Sequence, residues 1–326
     1  MTAKEIRLNN LHKNMKRENS KGSLTSFVLL LASVSLSVFL SPSTAKYVKE
    51  GLSICAVKVI PAVFPFFIIS DLYVKFGHPE RLTLPAYLFE KLFRIERAGI
   101  AAYVVGALCG FPLGVKAAAE LYRGGVISKE SAERLSAISN LPSPAFIISA
   151  VGTASFGNKN IGILLFISVL FSSVLCGVLF RQNTASIENV TYNSRQSFSL
   201  VESVRSAGVG VINVCAFVTA FSVIVGLVRD YLPFSLLRYV VISLLEVSWA
   251  TESFAGLSHS SLTLSLFGTA FSLGFGGLSV MLQGASLTAG CGFKTRKYLF
   301  IKIIQGLISG ALCIAFYLIF LKSGLL

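Results

Sequence analysis

The chain has 326 residues, of which 54% are hydrophobic and only 13% charged. A soluble domain carries about a quarter charged residues, so this chain has too little polar side chain to coat a water-soluble body and reads as an integral membrane protein. Its 29 Lys+Arg against 15 Asp+Glu give a formal charge of +14; with no basic stripe interleaved with exposed aromatics, the excess fits positive-inside loops beside anionic lipid and argues against nucleic acid.

Residues 1–23 are polar and carry Lys4, Arg7, Lys13, Lys16, Arg17 and Lys21; an apolar run at 24–40 follows. A signal peptide is the rival reading. The polar lead is long and more hydrophobic spans follow, so the run is read as a retained first helix with a cytoplasmic N-terminus. The next span, about 51–73, contains Lys58, Pro61 and Pro65, and a basic segment at 75–97 returns the chain to the cytoplasm. Then come an interrupted span at 100–121 and a polar amphipathic piece at 122–140, in which Ser128 with Ser131 and Glu133 marks a helix start. An apolar piece at 145–155 and a clean span at 161–180 complete a first half, 24–180, and the polar segment 181–205 is expected to link it to a second, 206–326. That second half holds spans near 207–228 and 236–257, an interrupted region at 262–292, a basic break at Lys294, Arg296 and Lys297, and a last span at 298–321. At roughly 20 apolar residues per crossing, the expectation is an all-α polytopic membrane protein. It has about seven or eight transmembrane helices plus broken or re-entrant helical hairpins, in two related halves.

The interruptions are specific. "GALCGFPLGVK" (106–116) places three glycines, a proline and a lysine in an apolar run, and "SLGFGGLSVMLQG" (272–284) breaks the second half. Downstream of each, "GGVISKESAERL" (124–135) can be laid on "CGFKTRKYLFIK" (291–302). Corresponding interrupted segments in two halves point to a transporter site built from broken helices. Freed backbone N–H groups at a half-helix start hold an anion and freed carbonyls a cation, and such backbone survives at membrane depth only where protein or water surrounds it. Pro112 removes a donor, Gly110 and Gly114 permit unusual dihedrals, and Lys116 adds a charge that favours a carboxylate ligand. Two plainer readings stand beside these: Gly106, Gly110 and Gly114 as a packing stripe, and Lys116 as a side chain that snorkels to an interface.

Glu246, in "VVISLLEVSWATESF", is a carboxylate at depth, which is either functional or held in an ion pair that fixes packing; Glu252 lies nearer the end of that span. Asn140, Ser143 and Pro144 in "SNLPSPAF" form another polar break. Asn213 and Gln283 are lone amides of the kind that usually join helices. Trp249, the single tryptophan, suits an aromatic ligand or an interfacial anchor equally. The 6 cysteines are scattered singly and the 3 histidines lack ligand spacing, so no metal and no cofactor is expected. With no nucleophile–base pair and no phosphate loop, the chain is not expected to be an enzyme or to be driven by ATP; secondary transport remains.

At these residues the sequence resembles a known family. "PAVFPFFIIS" (61–70), "CGFPLGVKAAAELYRGGVISKESAERL" (109–135), "PAFIISAVGTASFG" (144–157), "LLEV" (244–247) and "FGGLSVMLQ" (275–283) look like the sporulation integral membrane protein family called YlbJ, which carries the nucleoside-recognition, or gate, domain and is distantly similar to concentrative nucleoside transporters. The resemblance covers most of the chain from about residue 50 onward. It implies transport of dipicolinic acid, a small planar dianion, across the outer forespore membrane of endospore-forming bacteria; a nucleoside or other small metabolite is the alternative cargo, and a spore-assembly scaffold the non-transport one. The expected partners are that small anionic metabolite, the lipid bilayer and a coupling ion of unspecified identity. The family's motif residues map onto Gly110, Pro112, Gly114, Lys116, Asn140, Glu246, Gly276, Gly277, Ser279 and Gln283, and Ser143 joins them from the residue reading. Two departures fall among them: Asn140-Leu-Pro-Ser-Pro144 where the family reads like "NNSGP", and Leu245-Glu-Val-Ser-Trp-Ala250 where it reads like "LEVTNG".

Overall fold

The computed structural model describes residues 41–76, 83–182 and 200–323. The expected basic N-terminus, the run at 24–40 and most of the expected linker lie outside the described residues. The chain falls into two compact units, Met1–Tyr47 and Val48–Leu326. Of the first, only 41–47 is described, as the opening of a helix.

Helix α1 (Ser41–Ile54) runs through a π-helical turn (Cys55–Val59) into α2 (Ile60–Phe76). Pro61 and Pro65 remove two backbone donors there, and a wider turn beside a proline is a usual accommodation. The helices α3 (Thr83–Phe93), α4 (Gly99–Cys109), α5 (Leu113–Arg123) and α6 (Lys129–Ile138) follow, then a π-helical segment (Phe146–Ser155) and α7 (Lys159–Leu179). The remainder is α8 (Leu200–Tyr231), α9 (Leu236–Leu245), α10 (Val247–Ala255), α11 (Leu262–Phe275), α12 (Gly277–Leu287) and α13 (Thr295–Ser323). No strand occurs among the described residues.

Local chemistry sets the starts. Ser128 caps α6 by accepting from Ser131 N at 3.3 Å, as its sequence context suggests. Asn158 caps α7 by accepting from Asn160 N at 2.8 Å. Helix α8 is described from Leu200, so that residues 200–205 of the segment expected to be a linker are helical, and further along it packs on α2.

Among the described residues, four helical stretches are long and apolar enough to cross a membrane: Lys159–Leu179, Leu200–Tyr231, Leu262–Leu287 and Thr295–Leu321. Three shorter apolar helices, Gly99–Cys109, Phe146–Ser155 and Leu236–Leu245, are pieces of interrupted spans. The surface is that of a lipid-facing protein: Val209 and Ile212 on α8 are 66% and 71% exposed, a density of apolar exposure that water does not tolerate over a whole face. Helix α13 packs along α11 and α7, and α8 packs along α2. Four helical pairs carry a break at their middle: α4–α5, α6 with the π-helical segment, α9–α10, and α11–α12, the last of them within the long stretch Leu262–Leu287.

Candidate functional site

The first break follows from Gly110, at φ 90°, and Pro112, which precedes α5 and has no N–H to give. The second spans 139–143, where α6 has ended and Ser143 Oγ accepts from Phe146 N at 3.2 Å to start the next helix. These two breaks are pressed together. A Cβ on Gly106 would lie 1.8 Å from Ser139 O, one on Gly114 2.3 Å from the same atom, and one on Gly110 2.8 Å from Ser143 N. Both readings of the glycine run therefore hold at once: the helix is broken at Gly110, and the glycines on either side let the second break sit against it.

A second pair of breaks lies later in the chain. Helix α11 ends at Gly276 in the left-handed region (φ 88°) and Gly277 (φ 81°) begins α12. Its neighbour is a break absent from the sequence expectation, which ran a single span through 236–257. Glu246 is extended, at φ −151° and ψ 129°, and its Oε2 accepts from Trp249 N at 2.9 Å, so that it caps α10. A Cβ on Gly277 would meet Leu245 O at 3.0 Å and Glu246 N at 3.1 Å. The two pairs approach one another where Gly276 faces Phe111, 3.8 Å from a built Cβ.

A cavity of about 110 Å³ lies where the breaks converge, several times the roughly 10–15 Å³ that one water needs on the same measure. Gly110 and Phe111, Pro142 and Ser143, and Glu246 with Trp249 line it from three breaks, and Val280 and Gln283 from the helix that starts at the fourth. Of the residues expected to bind a ligand, Gly110, Ser143, Glu246 and Gln283 thus share one wall. Glu246 is 2% exposed and has no ion pair among the described residues. Ser279 holds Gln283, whose Nε2 donates to its Oγ at 3.2 Å. Pro112, Gly114, Gly276 and Gly277 are buried behind the wall and shape it through the backbone. Asn213 does join helices, donating to Ser286 Oγ at 2.8 Å.

Lys116 is not among the lining residues. Its Nζ lies 3.2 Å from Ser206 Oγ, 3.6 Å from Glu120 Oε1 and 5.9 Å from the centre of the Phe67 ring. At about 100° per residue, position 116 lies on the side of α5 opposite Gly114, which faces Ser139.

Sequence reasoning missed Lys302. It stands in α13 with 1% exposure and no carboxylate partner among the described residues. Its Nζ donates to Asn140 O at 2.9 Å and to Gln305 Oε1 at 2.8 Å, while Asn140 Nδ2 donates to Tyr298 OH. Asn140 Oδ1, Gln305 Nε2 and Ser309 Oγ nearby are buried and unpaired. A lysine without an acid inside a span is the signal that marks it. It pins the second break from behind, two residues from the cavity wall at Pro142. Lys302→Met orphans two buried acceptors at about 1–3 kcal/mol each, so a Tm lower by roughly 5–10 °C is expected in a detergent melt. An unchanged Tm would mean that the break stands without it.

Four breaks around a carboxylate-bearing cavity, in an all-helical chain with lipid-facing surfaces, define a polytopic integral membrane protein of the broken-helix type. Over 134 residues the chain is 34% identical to the sporulation integral membrane protein YlbJ of Bacillus subtilis (strain 168). This supports the YlbJ-family assignment read from the motifs. The aligned stretch is 41% of this chain and 33% of that relative, about a third of its length. No protein-family model and no solved structure matches the chain.

Proposed function

We propose that the protein is a secondary transporter, not an enzyme, of a small anionic metabolite, dipicolinate, moved across the outer forespore membrane during sporulation. The observation that carries the reading is the convergence of four helix breaks on one cavity that holds a buried carboxylate. Broken helices at depth are costly and recur where substrates and coupling ions bind. Similarity to a sporulation membrane protein supports the setting. The lining adds a constraint: among the described residues its charged groups are Glu246 and Glu252, with no Lys, Arg or His. On this reading a dianion enters the cavity together with a cation, for which Glu246 is the natural ligand.

That same lining favours a second cargo. Gln283, Ser143 and the rings of Phe111, Phe146 and Trp249 suit an uncharged planar metabolite such as a nucleoside, by hydrogen bonding and stacking. If neither is moved, a scaffold role in spore assembly is the remaining reading. Spore dipicolinate content separates them in a strain that lacks its own dipicolinate transporter. Restoration by the intact chain, and failure of an equally abundant Glu246→Gln variant, is the expected result. No restoration by a correctly localised chain would exclude dipicolinate as the cargo.

A further inference from the structure

A second cavity, of about 310 Å³, adjoins the first. Arg229 at the end of α8, Phe234 and Arg238 before and within α9, and Trp249, Glu252 and Ser253 of α10 line it. Trp249 and Glu252 line both cavities and form the wall between them.

Its two arginines are held in an uncommon way. The Arg229 guanidinium lies 4.7 Å from the Trp249 ring centre and the Arg238 guanidinium 4.5 Å from that of Phe234. Neither makes an ion pair or a side-chain hydrogen bond among the described residues, even though Glu252 faces the same space. A cation held over a ring is positioned without spending its N–H donors. Those donors form the planar fork that grips carboxylate and phosphate oxygens side-on. Trp249 is itself fixed, its Nε1 donating to Ser222 Oγ at 3.3 Å. Guanidinium groups face the outer chamber together with Glu252, and among the described residues the charged groups of the inner one are carboxylates.

We propose that Arg229 and Arg238 form an outer binding site for a small planar oxyanion, a carboxylate or phosphate, in series with the central cavity and divided from it by Trp249. Its role as a receiving site rests on the transport reading; its existence does not. Two unpaired cations raise the local concentration of anions beside an acidic inner chamber that would otherwise repel them. A lipid headgroup phosphate offers the same chemistry as a free anion.

Trp249 is the chain's single tryptophan, so its emission reports on this wall without labelling. The test titrates the full chain, in nanodiscs of phosphatidylcholine, with dipicolinate and separately with inorganic phosphate, and repeats both in discs containing phosphatidylglycerol. A saturable change with a soluble anion in phosphatidylcholine, weakened roughly tenfold or more in Arg229→Gln/Arg238→Gln, supports the site with a free ligand. A change that appears only when phosphatidylglycerol is present, and is lost in the same variant, supports it with a headgroup as occupant. No response to any probe, or a response unchanged in the double variant, overturns it. Arg229 is exposed and Arg238 half-buried, so the substitutions spare the core; a melt of the variant verifies that. Because binding is read directly, a chain that binds at this wall yet moves no dipicolinate would refute the transport reading and leave the site standing.

Discussion

Glu246→Gln is expected to insert, fold and melt like the unsubstituted chain while losing uptake by roughly 30-fold or more. The amide keeps an oxygen for Trp249 N, so the cap on α10 is retained; even full removal of a cap costs only about 1 kcal/mol. What is lost is the ionisable group, which sits 2% exposed on the cavity wall with no cationic partner among the described residues. A buried charge that serves a ligand is worth about 2–5 kcal/mol when removed, and each 1.4 kcal/mol is about tenfold. Glu252 provides the control. It lines the same cavity but is exposed, so Glu252→Gln is expected to change uptake only a few-fold. Equal losses in both variants would remove the special position given to Glu246.

Gly106→Ala is expected to have the largest structural effect of any single substitution considered. The added methyl carbon would lie 1.8 Å from Ser139 O and 2.8 Å from Ser139 C. These are backbone atoms at the end of α6, so no rotamer change relieves the clash; the two breaks of the first half must separate. A cost above about 4 kcal/mol is expected, enough to deplete monodisperse protein from a detergent extract. Gly208 is the contrast. It lies in the first third of α8 with nothing within 4 Å of a built Cβ, so Gly208→Ala is expected to be neutral or to stabilise by up to about 1 kcal/mol. Gly106→Ala protein that melts at the unsubstituted Tm would show that the breaks are not in contact there.

The breaks at Gly110–Pro112 and Gly276–Gly277 were legible because glycine and proline carry their backbone chemistry locally. The break at Glu246 was not. No glycine or proline marks it, and "SLLEVSW" reads as a continuous helix; the break coincides with the approach of Gly277 to Leu245 O, a contact between residues far apart in sequence. The sequence places Lys116 at the site through its charge and its position in "GFPLGVK", but two residues past Gly114 along a helix is more than half a turn around it. Lys302 was hidden for the opposite reason. A lysine four residues into an expected span looks like one that snorkels to the interface, and only the packing of α13 on α7 and α11 shows that it has no route out. The membrane class, by contrast, follows from composition alone, because it depends on totals and not on who touches whom.

Uptake of labelled dipicolinate into proteoliposomes that contain the full chain, set beside the Glu246→Gln variant at equal incorporation, tests the central claim most directly. Saturable uptake by the unsubstituted chain, reduced roughly 30-fold or more in the variant, is the result the four-break cavity predicts. Uptake equal in both, or no greater than that of empty vesicles, would contradict it.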